Sequence, residues 1–241
     1  MAGVRRPGLL LAAFVVGTAT PAARADWAGS LAVTTDNVYR GLSQSNGKVS
    51  GQLEVNYHAA AGWYAGISAA SVERGAAEGT HAQLAPYVGY EWRLAGEWHA
   101  TVSAAHYEYA GYTPRRYYDY DELTATAAFG DRLFLTVAAT PDFGAVSPRG
   151  YVSGRPAFSY EADLHLPVPR TNTLSVNTGI GYDDLHHALG VGFVYWDAGL
   201  GYAFRAYELD VSYIGTSASA RALIADEPAT HRGVATLVWH F

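Results

Sequence analysis

Glu161 and Asp163 stand two residues apart, and Glu208 and Asp210 repeat the spacing. In an extended chain, side chains two apart project to the same face, so each pair sets two like charges side by side. That is costly unless water, ions or cationic side chains from neighbouring strands screen them. The same alternation followed along the chain gathers Asp36, Arg40, Glu54, His58, Glu91, Arg93, His99, Glu122, Arg132, His165, Asp197, Arg205 and His240 on an equivalent face. Carboxylates outnumber arginines there by about two to one, a fixed-charge excess that favours cations if the face lines a water-filled passage. If the arginines and carboxylates instead pair with one another, the same residues form a salt-bridged plug in a narrow interior.

Other constellations are weaker. Arg40 reads either as a gate or selectivity charge, or as a partner of inward carboxylates that fixes strand register, and the second reading fits better. The segment from Pro141 to Pro156 is rich in Pro and Gly and carries Arg149 and Arg155, which would form a constriction if it folded inward; more often such a loop lies over the outer surface. His186-His187 behind Asp183-Asp184 has no standard metal-ligand spacing, so a solvated loop is the expected outcome. Asp119, Asp121 and Glu122 fit an acidic rim, or a divalent ion bridging lipopolysaccharide phosphates. No G-x-S-x-G is present, and His106 near Glu108 has no nucleophile in register, so the sequence points to no enzyme, no cofactor and no bound metal.

The elements that would carry these residues are strands. Leu53, Val55 and Tyr57 alternate with Gln52, Glu54 and Asn56; Tyr160, Ala162 and Leu164 with Glu161, Asp163 and His165; Tyr207, Leu209 and Val211 with Glu208, Asp210 and Ser212. Period-two alternation of this length signals strands between two different environments. Twelve segments follow, near 27–40, 49–60, 63–72, 82–93, 98–109, 119–129, 132–140, 157–167, 173–183, 192–204, 207–216 and 233–241. Their connectors alternate short and long: Ala61-Gly62, Gly130-Asp131 and Arg205-Ala206 are short, whereas Gly41 to Lys48, Glu73 to His81 and Ser217 to Arg232 are long. Transmembrane barrels have this asymmetry between periplasmic turns and extracellular loops. Trp27, Trp63, Trp92, Trp98 and Trp239 fall near the short-turn end, with Tyr39, Tyr109, Tyr112, Tyr118 and Tyr120 toward the other, as two interfacial girdles would. Ala85, Gly89, Ala105, Ala128, Gly179, Gly181, Gly199 and Gly201 share the polar face and would leave room inside.

The termini agree. Arg5 and Arg6, an apolar run from Leu9 to Ala19 and the Ala23-Arg24-Ala25 site form a secretory signal peptide over residues 1–25, leaving 26–241 for the barrel. Without Arg5, Arg6 and Arg24 the mature chain has 13 basic against 22 acidic residues, a net of −9, which excludes general nucleic-acid binding. Mean hydropathy is −0.02 despite abundant aromatics, in keeping with a barrel that has one face in lipid and one in water. The final strand carries Leu237, Trp239 and Phe241 on its outer face, and Trp239 with the terminal Phe241 fits the signal read by the outer-membrane assembly machinery.

Asp36-Asn37-Val38-Tyr39-Arg40-Gly41-Leu42-Ser43-Gln44, followed by Gly62-Trp63-Tyr64-Ala65-Gly66, resembles the opening of the TorF family of porin-like proteins. Tyr118 to Leu123, Tyr160 to Leu164 and Pro167-Val168-Pro169 are similar to its later strands. The resemblance implies an outer-membrane barrel with a pore role, and it carries no catalytic residues and no substrate. The sequence therefore predicts an all-β, transmembrane, antiparallel up-and-down barrel of about twelve strands in the bacterial outer membrane, crossing many times with both termini periplasmic. Its expected partners are the lipid bilayer, lipopolysaccharide and small solutes. Its expected work is passive passage of small solutes with a mild cation preference; the alternative is a plugged barrel with a structural or surface-binding role.

Overall fold

The computed structural model describes residues 26–73, 79–111, 118–147, 150–171, 173–223 and 231–241. Residues 1–25, expected as a signal peptide, and Arg149 lie outside the described residues. Twelve strands form the wall: β1 (Asp26–Thr34), β4 (Ser50–His58), β5 (Trp63–Val72), β6 (His81–Arg93), β7 (Trp98–Ala110), β8 (Tyr120–Phe129), β9 (Leu133–Ser147), β10 (Gly150–Pro167), β11 (Leu174–Asp184), β12 (Phe193–Phe204), β13 (Tyr207–Thr216) and β14 (Arg232–His240). Each pairs antiparallel with its neighbour along the chain, and β1 closes on β14 in the register Leu31 opposite Trp239 and Val33 opposite Leu237. A two-stranded sheet of β2 (Val38–Tyr39) and β3 (Leu42–Ser43) stands apart from the wall. Short helices α1 (His186–Leu189) and α2 (Ala218–Leu223) sit in two of the long connections.

The alternation read from the sequence becomes an inside and an outside. Leu31, Leu53, Val102, Ile180, Leu200, Val211 and Leu237 are exposed on the outer wall. Ser30, Glu54, Asn56, Thr101, Ser103, Glu122, Ser159, His165, Asn177, Asp197 and Glu208 are buried in the lumen. A water-soluble barrel would reverse this order; an apolar exterior around a polar interior suits lipid. No described helix is long and apolar enough to cross a membrane, and none is needed. Inward tyrosines lie close over inward glycines of adjacent strands: Tyr64 over Gly89, Tyr87 over Gly66 and Tyr195 over Gly181, where a Cβ would strike each ring.

This orientation has a direct readout, because the chain has no cysteine. Single cysteines at Leu53, Leu164 and Leu209 should resist water-soluble thiol reagents in membranes, whereas cysteines at Gln52 and Asp163 should react. The opposite pattern would mean that the faces are inverted.

Two expectations about the long connections are corrected. The segment from Pro141 to Pro156 is largely strand: β9 and β10 run on past the wall as a ribbon, with Phe143 opposite Arg155 and register shifts on either side of Arg155. Proline is tolerated there because a ribbon edge needs no hydrogen-bond partner on its outer side. Arg155 is exposed on this ribbon, so it builds no constriction. The inward segment is instead Thr35 to Val49, which carries β2 and β3; residues 35–40 were expected as the end of the first strand and Gly41 to Lys48 as an outer loop.

Candidate pore constriction

Val38 pairs with Ser43 and Tyr39 with Leu42, leaving Arg40-Gly41 as a two-residue turn. Both have positive φ, 49° at Arg40 and 76° at Gly41, the signature of a type I′ hairpin. Gly41 suits this conformation, and Thr216 and Tyr195 crowd the place where a Cβ would stand. Arginine does not suit it, since a left-handed non-glycine residue costs about 1–2 kcal/mol. What compensates is the reach of the guanidinium. Arg40 Nη1 donates to Glu122 Oε2 on β8 at 2.8 Å, and Nε donates to Glu161 Oε1 on β10 at 3.1 Å. The side chains are 11% exposed for Arg40, 2% for Glu122 and 20% for Glu161, so this is a nearly dry clamp. Burial alone would weaken the hold of Arg40 on its proton, but Glu122, Tyr39, Glu161 and Asp183 outweigh it and push its pKa well up.

The clamp is braced from several strands. The Tyr39 hydroxyl donates to both oxygens of Glu122, at 3.1 and 3.2 Å, and its ring lies 4.6 Å below the guanidinium carbon. Thr140 and Thr124 donate to Glu122 at 3.3 and 3.4 Å, and Tyr195 donates to Glu161 at 2.7 Å. Asp183, buried and held by Ser159 at 2.7 Å, adds a further carboxylate. On one side the hairpin meets the tyrosine cluster of Tyr107, Tyr109, Tyr118 and Tyr120; on the other Leu42 packs with Leu185, Phe193 and Tyr195. Its base is tied by Asp36, which accepts from Ser43 at 2.6 Å and Ser45 at 2.9 Å and pairs with Arg232 of β14.

Simple dimensions show what the hairpin does to the passage. Twelve strands about 4.8 Å apart, tilted by about 40°, give a backbone ring of radius about 12 Å. Side chains reduce the clear width to about 12 Å, and a two-stranded ribbon is about 10 Å across with its side chains. The hairpin therefore occupies most of the lumen at its level. Two cavities lined by described residues flank it. One, ≈ 80 Å³, lies against β4 to β8 and is lined by residues including Gln44, Gln52, Glu54 and Tyr87. The other, ≈ 50 Å³, lies against β12 to β14 and is lined by residues including Asp36, Asp197 and Asp210. Each has room for several waters.

Toward the short-turn end the wall stays acidic. Asp163 and Asp197 converge over Gly179 without a cationic partner among the described residues. Asp210 accepts from Asn177 Nδ2 at 2.8 Å and is also hydrogen-bonded by Ser212, and Glu208 faces His240 at 3.6 Å. Glu54 is bound by Tyr87, and Glu91 is half-buried on the same inner face.

Most of the expected inward set is therefore inward: Asp36, Arg40, Glu54, Glu91, Glu122, Glu161, Asp163, His165, Asp197, Glu208 and Asp210. Arg132 and Arg205 lie in short turns, off the wall, and are exposed; Arg93 ends β6 opposite His99, two residues beyond Glu91, and is exposed at the rim. Tyr39, Tyr109, Tyr118 and Tyr120 are inside rather than on an outer girdle, and Tyr112 lies outside the described residues. Asp183 and Arg232 belong to the interior and were missed. Parity would have found both, since Asp183 continues Gly179-Gly181 and Arg232 precedes Val234-Thr236. His186 pairs with Asp184 beside α1 at 2.6 Å. His106 pairs with Asp121 on the outer wall at 2.8 Å. No group of three or more acidic, histidine or cysteine residues among those described is placed to hold a metal ion.

A closed ring of twelve antiparallel strands, apolar without and ionisable within, narrowed by a hairpin, defines a porin-like β-barrel of the outer-membrane type. Its fold is similar to the KdgM porin in complex with disordered oligogalacturonate, at TM-score 0.50 and 9% identity over 90% of this chain and 99% of that chain. It is also similar to the KdgM porin (TM-score 0.49, 9% identity, 89% and 99% covered) and to an outer-membrane channel from Pseudomonas putida F1 (TM-score 0.48, 11% identity, 89% and 94% covered). The chain belongs to the Gcw_chp family, bacterial proteins of unknown function, whose model matches residues 18–240. The sequence matches no curated protein.

Proposed function

We propose that this protein is an outer-membrane channel through which small hydrophilic solutes pass passively, down their gradients, beside a hairpin that narrows the lumen. The observation that carries this reading is the lumen itself, polar and small-residue-lined along its wall and crossed among the described residues by the one hairpin. The TorF resemblance supports the same role. On this reading the short turns and both termini face the periplasm, the β9–β10 ribbon faces outward beside lipopolysaccharide, and the outer-membrane assembly machinery inserts the barrel.

The acid-rich wall favours cations over anions, and it would repel a polyacid such as the oligogalacturonate bound by the KdgM porin. Fixed charges act over a Debye length of about 10 Å at 0.1 M salt, comparable with the passage, so the bias weakens as salt rises. Single-channel recording in a planar bilayer tests the proposal. The parent should give discrete conductance with a cation-selective reversal potential under a salt gradient. The quadruple amide variant of Glu161, Asp163, Glu208 and Asp210 should shift that potential toward anions. An anion-selective parent overturns the preference.

The Arg40 clamp favours a second reading, in which the barrel is plugged and serves as a structural or surface-binding protein. Lack of conductance in both the parent and a variant without the hairpin would select it.

A further inference from the structure

Arg40 makes contacts that a free solute could also make. Its guanidinium meets Glu122 through Nη1 and Glu161 through Nε, two edges of one planar group reading two carboxylates. Planar, multidentate recognition of this kind separates guanidinium from ammonium, which presents only a compact point charge. The recess has braces on the wall besides Arg40. Tyr195 holds Glu161, and Thr124 and Thr140 hold Glu122, contacts from the wall that do not involve the guanidinium. Preorganised acceptors of this kind lower the ordering cost of binding a ligand. The charge count is also unbalanced, since Glu122, Glu161 and Asp183 surround one arginine. Finally, Arg40 occupies the recess only by holding a left-handed backbone that its residue type disfavours.

We propose that the recess between Glu122 and Glu161 is a binding site for guanidinium-bearing solutes, and that Arg40 fills it as a tethered surrogate with which a passing solute exchanges. The role in passage rests on the channel reading above; the site itself does not. Exchange would move the hairpin tip off the wall as the solute enters, so the constriction and the recognition site are the same few side chains.

The test separates binding from conduction. Arg40→Gly vacates the recess and gives a Gly-Gly turn that the type I′ geometry favours, and Arg40→Asn is a second turn-compatible variant. Both are checked for folding by heat-modifiable mobility. Methylguanidinium titrated calorimetrically into either variant in detergent should bind saturably, at least tenfold more tightly than to the parent. Methylammonium should bind at least tenfold more weakly than methylguanidinium. Adding Glu122→Gln and Glu161→Gln to Arg40→Gly should abolish the heat. In bilayers, methylguanidinium should reduce the sodium current of Arg40→Gly in the same concentration range. Folded variants that bind no methylguanidinium, or an amide variant that binds it equally, overturn the site. Binding without conductance in any variant keeps the site and overturns the channel reading; conductance without binding does the reverse.

Discussion

A variant in which residues 38–43 are replaced by a short Gly-Ser link should conduct several-fold more current than the parent. The hairpin is about 10 Å across in a lumen with about 12 Å of clear width, so removing it opens most of the cross-section. Arg40→Ala should fall between the two, since it frees the tip but leaves β2 and β3 attached at Asp36. It should also lower the temperature at which the barrel loses its compact mobility. Removing one partner of a buried ion pair costs about 3–5 kcal/mol where no water can replace it. Water entering from the flanking cavities reduces that cost here, so the expected loss lies below this range. Conductance unchanged by the deletion would mean that the hairpin does not set the narrowest point.

Deleting Phe241 should reduce the heat-modifiable barrel recovered from outer-membrane fractions several-fold. The residue completes the seam of the barrel: Phe241 N donates to Gly29 O at 2.9 Å, and Gly29 N donates to Phe241 O at 3.0 Å. Its ring lies over Gly29, where a Cβ would come within 2.6 Å of it, and stands 5.1 Å from the Trp239 ring. Two backbone hydrogen bonds contribute only about 1 kcal/mol each, too little to abolish a barrel of this size. A several-fold loss in cells would therefore reflect recognition of the terminal strand during assembly. Gly29→Leu separates the explanations, because it displaces the ring but keeps the C-terminal sequence. It should cost less than half of the assembled protein. Equal losses from both changes would assign the residue to seam packing, and full assembly of the truncated chain would remove the signal altogether.

The wall was legible because each strand meets two solvents, and the alternation around Glu54, Glu161 and Glu208 records that directly. The β5 and β13 boundaries match the residues expected, and the seam follows from Leu237 and Trp239. The hairpin was hidden for a physical reason. Val38 and Tyr39 look like the end of a strand because they are apolar, but what covers them is the lumen rather than lipid, and Leu42 falls in the expected loop. The turn gave a partial cue, with Gly41 at the second central position, but arginine stands where asparagine or glycine would have announced the I′ geometry. The β9–β10 ribbon was missed for the opposite reason. Its prolines and glycines suggest a loop, yet a ribbon with a single partner on each strand tolerates them.

The tether of Arg40 and Asp36 also constrains the order in which the molecule can come together. The wall grows by pairing neighbours along the chain. The hairpin's partners lie 82 residues away at Glu122, 121 at Glu161 and 196 at Arg232. Contacts across such separations form late, because the intervening chain must first be ordered. The segment made among the first is therefore among the last to find its place, and it does so only when β14 has delivered Arg232. Once lodged, it acts as a spoke between opposite sides of the ring, resisting any flattening of the cross-section by the surrounding bilayer.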